Sequence, residues 1–357
     1  MENVKALPEI TAPLVSWYRK GHRDLPWRNT RDPYAIWVSE IMLQQTRAEA
    51  VKPYYHAFLS ALPTVGDLAT VEDDVLNKLW QGLGYYSRAR NLRRAAIEVM
   101  GRFGGEIPKT KEELLTLPGI GSYTAGAIAS IAFDEAVPAV DGNVLRVLSR
   151  ILCDDRNILD PKLKGEYETL LLPHIPKSGA GEFTQALIEL GATHCGPNAA
   201  PNCEDCPLYP LCKARKEGKT REIPYRAPKK KRKWEQRAIL VVTDGVRTLL
   251  HKRGEEGLLS GLYEFPSILG TPTPNEVYAR LEELGVTPFE ITELPPAKHI
   301  FTHIEWHMTG LLVKVEPVPC CSDTPCGEGL TYVWASREGM QTKYSIPSAF
   351  RAFVLEK

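Results

Sequence analysis

The sequence predicts a multidomain chain of α + α/β class, with an all-helical first part and a smaller mixed α/β domain after it. Three observations predict this. Helical periodicity recurs up to residue 133 with no credible strand. Four of the eight cysteines crowd into Cys195–Cys212, and a basic stretch follows them. From Arg237 the pattern changes to an apolar strand, an Asp244-Gly245 turn and a second strand. At 357 residues the chain has room for two or three domains, each with its own core.

Bulk composition narrows the class. Apolar and charged fractions of 43% and 25% are ordinary for a globular protein. No apolar run approaches the ~20 residues of a membrane helix. The start, Met-Glu-Asn-Val-Lys, has neither a signal-peptide nor a transit-peptide pattern, which predicts a cytoplasmic protein, or a nuclear one in a eukaryote. Net charge is zero, yet Lys213–Arg237 holds twelve Lys/Arg against three Glu, a local +9. Such a concentration suits contact with phosphate. Clustered cysteines without a secretion signal point to a metal or cluster site rather than disulfides.

In order, residues 8–22 read as an amphipathic helix with Ile10, Leu14, Trp17 and Tyr18 on one side. The loop Arg23-Asp24-Leu25-Pro26-Trp27-Arg28 is aromatic and basic. Asp32-Pro33 reads as an N-cap with proline in the first turn, opening a helix over 34–46. Glu40 stands inside that helix among Ile36, Trp37, Val38, Ile41, Met42 and Leu43. A carboxyl in apolar surroundings holds its proton near neutrality, as a general acid must. The alternative is a glutamate paired with an arginine at a solvent edge. Helical patterns continue over 51–61, 72–81 and 87–103, with Gly82-Leu83-Gly84-Tyr85-Tyr86 as a flexed aromatic turn. That turn is either a wedge for a base stack or a buried aromatic at a helix start.

Glu112–Leu117 reads as the end of a short helix, which Pro118 and Gly119 stop and after which Gly121 frees the backbone. A helix rich in small residues starts at Ser122 or Tyr123. The turn offers N–H groups to an anion, and nucleic-acid phosphate is the obvious one; an ordinary helical hairpin is the plain alternative. Helices over 143–152, 162–172 and 181–194 follow, and the last leads straight to Cys195.

The stretch from Leu117 through Gly119, Gly121 and Ser122 to Val140-Asp141-Gly142-Asn143 resembles the helix-hairpin-helix of DNA glycosylases related to endonuclease III. The resemblance implies that the hairpin grips DNA backbone and that Asp141 is catalytic. Tyr123 stands where the lyase members carry a Schiff-base lysine; tyrosine has no amine, which implies a monofunctional enzyme. Trp37-Val-Ser-Glu40-Ile-Met-Leu-Gln-Gln45-Thr resembles the helix of the MutY family, whose glutamate protonates adenine. It implies Glu40 as acid, Tyr123 to steady the intermediate or position Asp141, Asn143 to hold water, and Leu25, Trp27, Arg28 and Gln185 around the adenine. Gln45 and Tyr85 would enter the duplex.

Four cysteine thiolates suit zinc, but only Cys203 and Cys206 form a close pair. The gaps of seven, two and five residues joining Cys195, Cys203, Cys206 and Cys212 resemble the 4Fe–4S motif of the same glycosylases, with one extra residue in the first gap. The resemblance implies an iron–sulfur cluster with a structural, DNA-positioning role.

Residues 222–236 read as an extended basic linker holding Pro224 and Pro228. Beyond it, Gly257-Leu-Leu-Ser-Gly-Leu-Tyr-Glu-Phe-Pro resembles the opening of a Nudix (MutT-like) domain. Tyr278-Ala279 replaces the box's Arg-Glu, so the magnesium site is incomplete and pyrophosphate hydrolysis is disfavoured. The family's reader of 8-oxoguanine has its counterpart in Phe301-Thr302-His303, where threonine keeps the hydroxyl of the usual serine; the plain alternative is a strand-edge pair. Cys320, Cys321 and Cys326 match nothing in the family.

The expected organisation is therefore a helix-hairpin-helix glycosylase over 1–221, with a six-helix region over about 29–136 and a cluster region of 1–28 plus 137–221. The linker of 222–236 and a Nudix-like lesion-recognition domain over 237–357 complete it. The expected partner is double-stranded DNA with adenine opposite 8-oxoguanine or guanine, bound by a monomer and without a membrane. Two further readings are a thymine–guanine mismatch glycosylase and a non-catalytic lesion-binding protein.

Overall fold

The computed structural model describes residues 7–197, 201–228, 231–317, 323, 325–326 and 331–355. Two units arise from it, residues 1–70 with 90–228, and residues 71–89 with 229–357. Cys320 and Cys321 lie outside the described residues, as does the side chain of Cys326.

Every regular element described in the first unit is a helix: α1 (Thr11–Lys20), α2 (Pro33–Leu43), α3 (Ala48–Ala61) and α4 (Val65–Thr70) precede α5 (Asp73–Leu79), which belongs to the second unit. Then follow α6 (Ser87–Phe103), α7 (Lys111–Leu114), α8 (Ser122–Phe133), α9 (Gly142–Leu152), α10 (Pro161–Leu171), α11 (Ala180–Thr193) and α12 (Lys213–Lys216). Local chemistry sets several starts. The Asp32 carboxylate accepts from Tyr34 N at 3.0 Å with Pro33 in the first turn, and Asp160 caps α10 in the same manner. Nearly all of α2 is buried, from Tyr34 to Met42, because it is apolar on every side and packs on α8. The small residues of α8 allow close approach: a Cβ at Gly126 would collide with the Pro138 backbone. Leu14, Val147, Tyr167, Phe183 and Leu187 join α1, α9, α10 and α11 in one core.

Three expectations need correction. Helix α4 was not read from the sequence, and α1 is shorter than 8–22 at both ends. The near end of the 222–236 stretch is packed rather than solvated. Ile223 is buried and its carbonyl accepts from Arg150 Nε at 2.7 Å, while the Tyr225 carbonyl accepts from Ile158 N at 2.9 Å. These bonds satisfy backbone groups that a solvated linker would leave to water. Its far end is already strand β1.

The second unit is built on a mixed sheet. Its strands are β1 (Lys233–Thr243), β2 (Arg247–Lys252), β3 (Tyr263–Glu264), β4 (Ser267–Leu269), β5 (Pro288–Ile300), β6 (Ile304–Val315), β7 (Pro325–Cys326) and β8 (Tyr332–Ser336). The order is β5-β6-β1-β2-β8-β7, with β3 on β2 and β4 on β1. Strand β1 runs parallel to β6 and antiparallel to β2. Alternate β1 residues serve opposite faces: Ile239 and Val241 meet Phe350 and Phe353 near the C-terminus, while Leu240 and Val242 meet Val277 and Leu281 of α13 (Pro274–Glu283). A Thr273–Glu276 capping box starts α13, and α14 (Arg337–Thr342) follows β8.

Candidate active site

Glu40 lies on α2 and is 5% exposed. Its Oε2 accepts a 2.7 Å hydrogen bond from the Tyr123 hydroxyl, which α8 brings across the α2–α8 contact. Burial pushes the Glu40 carboxyl up to about 7; the Tyr123 bond and the Arg28 charge pull against this, and the Asp141 charge adds to it. Tyr123 itself is held firmly protonated by burial and by the two acids. The Tyr123 hydroxyl thus donates to Glu40 and also feels the Asp141 charge.

Asp141 is the N-cap of α9. Oδ1 accepts from Asn143 N at 2.9 Å and Val144 N at 2.8 Å, and Oδ2 from Asn143 Nδ2 at 2.7 Å. Burial raises its pKa, against these bonds and the Arg146 charge. Arg146 in turn holds Asn143 Oδ1 at 2.9 Å and the Gly191 and Cys195 carbonyls at 2.6 Å. The Val-Asp-Gly-Asn motif thus acts as a helix cap whose carboxylate is oriented by three donors.

Leu25, Trp27 and Arg28 lie on the loop after α1, where residues 26–28 form a single 3₁₀ turn. Leu25 and Trp27 are buried, and Trp27 meets the Tyr55 ring edge-on at 5.5 Å. Arg28 stacks over Tyr18 at 5.6 Å and donates to Glu189 at 2.6 Å. Gln185 of α11 is half-buried, and its Oε1 accepts from the Tyr18 hydroxyl at 3.0 Å, so it is not on a solvated face. Sequence reading missed Tyr18, Glu189 and Arg146 as members of this network. Glu189 stands four residues after Gln185 on the predicted helix, and that spacing on one face was the available signal.

In the hairpin, α7 ends at Leu114 and Leu117 is buried beneath the turn. Gly119 has φ +75°, and a Cβ there would lie 2.6 Å from Asn91 Cβ, so both conformation and space demand glycine. Gly121 is the N-cap of α8 and brings no side chain to its first N–H groups. Ser122 turns its hydroxyl to Glu168 at 2.7 Å.

Gln45 and Tyr85, the expected wedge residues, belong to different units. Both are exposed non-glycine residues in the left-handed region, with φ 59° and 48°. Strain of this kind collects at functional positions. In the second unit, Phe301, Thr302 and His303 form the tip of the β5–β6 hairpin, closed by Phe301 N donating to the Ile304 carbonyl at 2.9 Å. Phe301 packs edge-on against Trp306, Thr302 and His303 are exposed, and Thr302 Oγ1 lies 3.0 Å from the Tyr85 hydroxyl.

Cys195, Cys203, Cys206 and Cys212 carry free thiols and line one pocket with Arg150, His194 and Arg215. Residues 198–200 of this loop lie outside the described residues. Arg150 donates to Cys195 Sγ at 3.1 Å. Burial pushes the Cys206 thiol up to about 12, and the other three cysteines add to the rise. Among the described residues, no three His, Cys, Asp or Glu side chains converge on a single metal-ion position.

Residues 38–172 match the HhH-GPD superfamily of base excision DNA repair proteins, and residues 237–356 match the NUDIX domain family. With Glu40 on α2 and Asp141 capping α9, the fold is that of a helix-hairpin-helix base-excision glycosylase extended by a Nudix-like domain. Relatives narrow the class. Adenine DNA glycosylase of Mus musculus is 35% identical over 377 residues, covering 89% of this chain and 73% of its own. Its counterpart in Buchnera aphidicola subsp. Baizongia pistaciae is 32% identical and covers 87% of both chains. A solved thermostable thymine-DNA glycosylase is 30% identical with TM-score 0.52, covering 58% of this chain and 95% of that one. The chain belongs to the adenine DNA glycosylases, the MutY family, and is a base-excision enzyme.

Proposed function

We propose that the enzyme removes adenine opposite 8-oxoguanine or guanine in duplex DNA, leaving the strand intact. The buried Glu40, poised at about 7 beside Asp141, is the observation that carries this reading. A base at a reacting centre must leave the stack and enter a pocket. Glu40 then gives its proton to the purine ring, which becomes a better leaving group as the glycosidic bond breaks. Asp141 stabilises the oxocarbenium-like sugar through its charge or a transient adduct, as paired carboxylates do in glycoside hydrolysis. Glu40, now a carboxylate, takes a proton from the attacking water. Asn143 keeps Asp141 oriented, and Leu25, Trp27, Arg28 and Gln185 surround the base. With tyrosine at position 123, no Schiff base forms.

Gln45 and Tyr85 would enter the duplex, the hairpin from Leu117 to Ser122 would hold backbone phosphate, and the Thr302 hydroxyl would bond the oxidised guanine. The expected working form is a monomer on double-stranded DNA, in the cytoplasm or, in a eukaryote, the nucleus. Release of free adenine from duplexes holding adenine opposite 8-oxoguanine, guanine or cytosine tests the reading. Glu40→Gln should lower single-turnover excision by about a hundredfold or more while DNA binding persists. Near-normal excision by that variant, or release of thymine from thymine–guanine pairs instead, would sink it.

The four thiols around one pocket, with Arg150 and Arg215 at its wall, suit a 4Fe–4S cluster held by Cys195, Cys203, Cys206 and Cys212. Bound there, it would brace the loop after α11 and supply a redox-capable centre. Iron and acid-labile sulfide in equal amounts should accompany the purified chain, and both should fall in Cys206→Ser. Stoichiometric zinc without sulfide would replace this reading with a zinc site.

A further inference from the structure

Glu189 is 1% exposed on α11, yet it is ionised: burial pushes its pKa up, and hydrogen bonds from Arg23 and Arg28 more than reverse this, holding it at about 2. A carboxylate so placed is costly unless fully paired. Arg23 donates to it from its main chain at 3.0 Å and from its guanidinium at 2.7–3.1 Å, and Arg28 Nη2 donates at 2.6 Å. The two arginines are not equivalent. The Arg23 side chain is 38% exposed, so water screens much of its charge. That of Arg28 is 6% exposed. Arg28 is further fixed by the Arg23 carbonyl at 3.0 Å and by the Tyr18 ring, whose hydroxyl bonds Gln185. One buried carboxylate thus anchors the arginine of the base pocket.

We propose that Glu189 is a positioning residue for base excision: it fixes the Arg28 guanidinium and offsets that charge beside the acid Glu40. The inference rests on Glu40 acting as proton donor, as proposed above. The groups facing Glu40 are Tyr123 on α8, Asp141 at the start of α9 and Arg28 on the loop after α1. Those around Arg28 and Glu189 are Tyr18 and Arg23, and Glu182 acts on Tyr18 in turn. Among the groups facing Glu40, Arg28 is the cation, and a cation favours the carboxylate over the acid. Activity needs the protonated form, so it falls as pH rises through the Glu40 value. Removing the charge of Glu189 leaves that of Arg28 uncompensated and moves this falling limb to lower pH.

The test is single-turnover adenine release by the full chain, measured as a pH profile on an adenine:8-oxoguanine duplex, with duplex affinity and Tm measured separately. In Glu189→Gln the falling limb should move toward acid by roughly half a unit or more, so that the rate drops about threefold or more on the alkaline side and recovers on the acid side. Glu189→Asp, which keeps the charge, should leave the limb in place. A uniform loss at every pH with an unmoved limb would reduce Glu189 to a structural role and overturn the proposal. If Glu189→Gln does not fold, Arg28→Gln/Glu189→Gln, which leaves only the 38% exposed Arg23 charge without its carboxylate, serves instead. Its limb should lie within a few tenths of a unit of wild type; a rise of about a full unit would mean that Glu189 never offset Arg28. A wild-type profile without a falling limb, or an active Glu40→Gln, would instead defeat the reading of Glu40 itself.

Discussion

Glu40 and Asp141 are two carboxyls sharing one site, and their surroundings treat them differently. Glu40 receives one hydrogen bond, from Tyr123, and burial dominates it. Asp141 is also raised by burial, but it receives two backbone bonds and one side-chain bond and feels Arg146. Burial outweighs the single donor at Glu40, whereas three donors and a cation act against it at Asp141, the asymmetry that the proposed roles of acid and anion require. The Asn143 side chain is one of the groups that lower the Asp141 pKa against burial. Asn143→Ala removes it, so the Asp141 pKa rises. Because the reaction needs the anion, activity grows as pH rises through that pKa, and the rising limb of the profile should move to higher pH. Excision on the acid side should fall by about tenfold, the worth of one hydrogen bond to a charged group. A rising limb that stays in place would show that Asn143 does not tune Asp141.

At the scale of elements, legibility followed the locality of the cause. Asp32-Pro33 opens α2 as the capping pattern predicts, and the Asp244-Gly245 turn joins β1 to β2. The range 87–103 agrees with α6 and the expected start at Ser122 with α8, since periodicity and turn glycines are local signals. Helix α4 has six residues and was missed, being too short to show a period. Gly191 shows the other limit. In sequence it is a glycine in a helix. In the fold a Cβ there would lie 2.6 Å from Asn143 Cβ, and its carbonyl accepts from Arg146, so α11 presses directly on the turn that orients Asp141. The left-handed backbone of Gln45 and Tyr85 was equally invisible, because neither residue type announces it.

For the whole molecule, the boundary drawn from composition differs from the one drawn by packing. Residues 71–89 fall between helices of the first unit in sequence but belong with 229–357. Asp74 accepts from Lys252 at 2.8 Å and from the Tyr263 hydroxyl at 3.1 Å; Lys78 donates to the Met340 carbonyl and Gln81 to that of Ile346. A chain ending at Pro228 keeps 71–89 and loses all these partners. Its Tm should fall by about 5–10 °C, since several hydrogen bonds at about 1 kcal/mol each disappear. An unchanged Tm would show that the segment stands without them.

The sequence by itself determined the helical class of the first part, the strand–turn–strand opening of the second, the glycine hairpin and the four clustered cysteines, because each is written within a few neighbouring residues; the two candidate acids stood out only through the family resemblance. Only the tertiary structure decided which groups serve those acids: Tyr123 on Glu40, Arg146 behind Asn143, and Glu189 behind Arg28. These partners stand up to 161 residues apart in the chain, and burial, which shifts the pKa of each group, depends on everything that packs around it rather than on its neighbours in sequence.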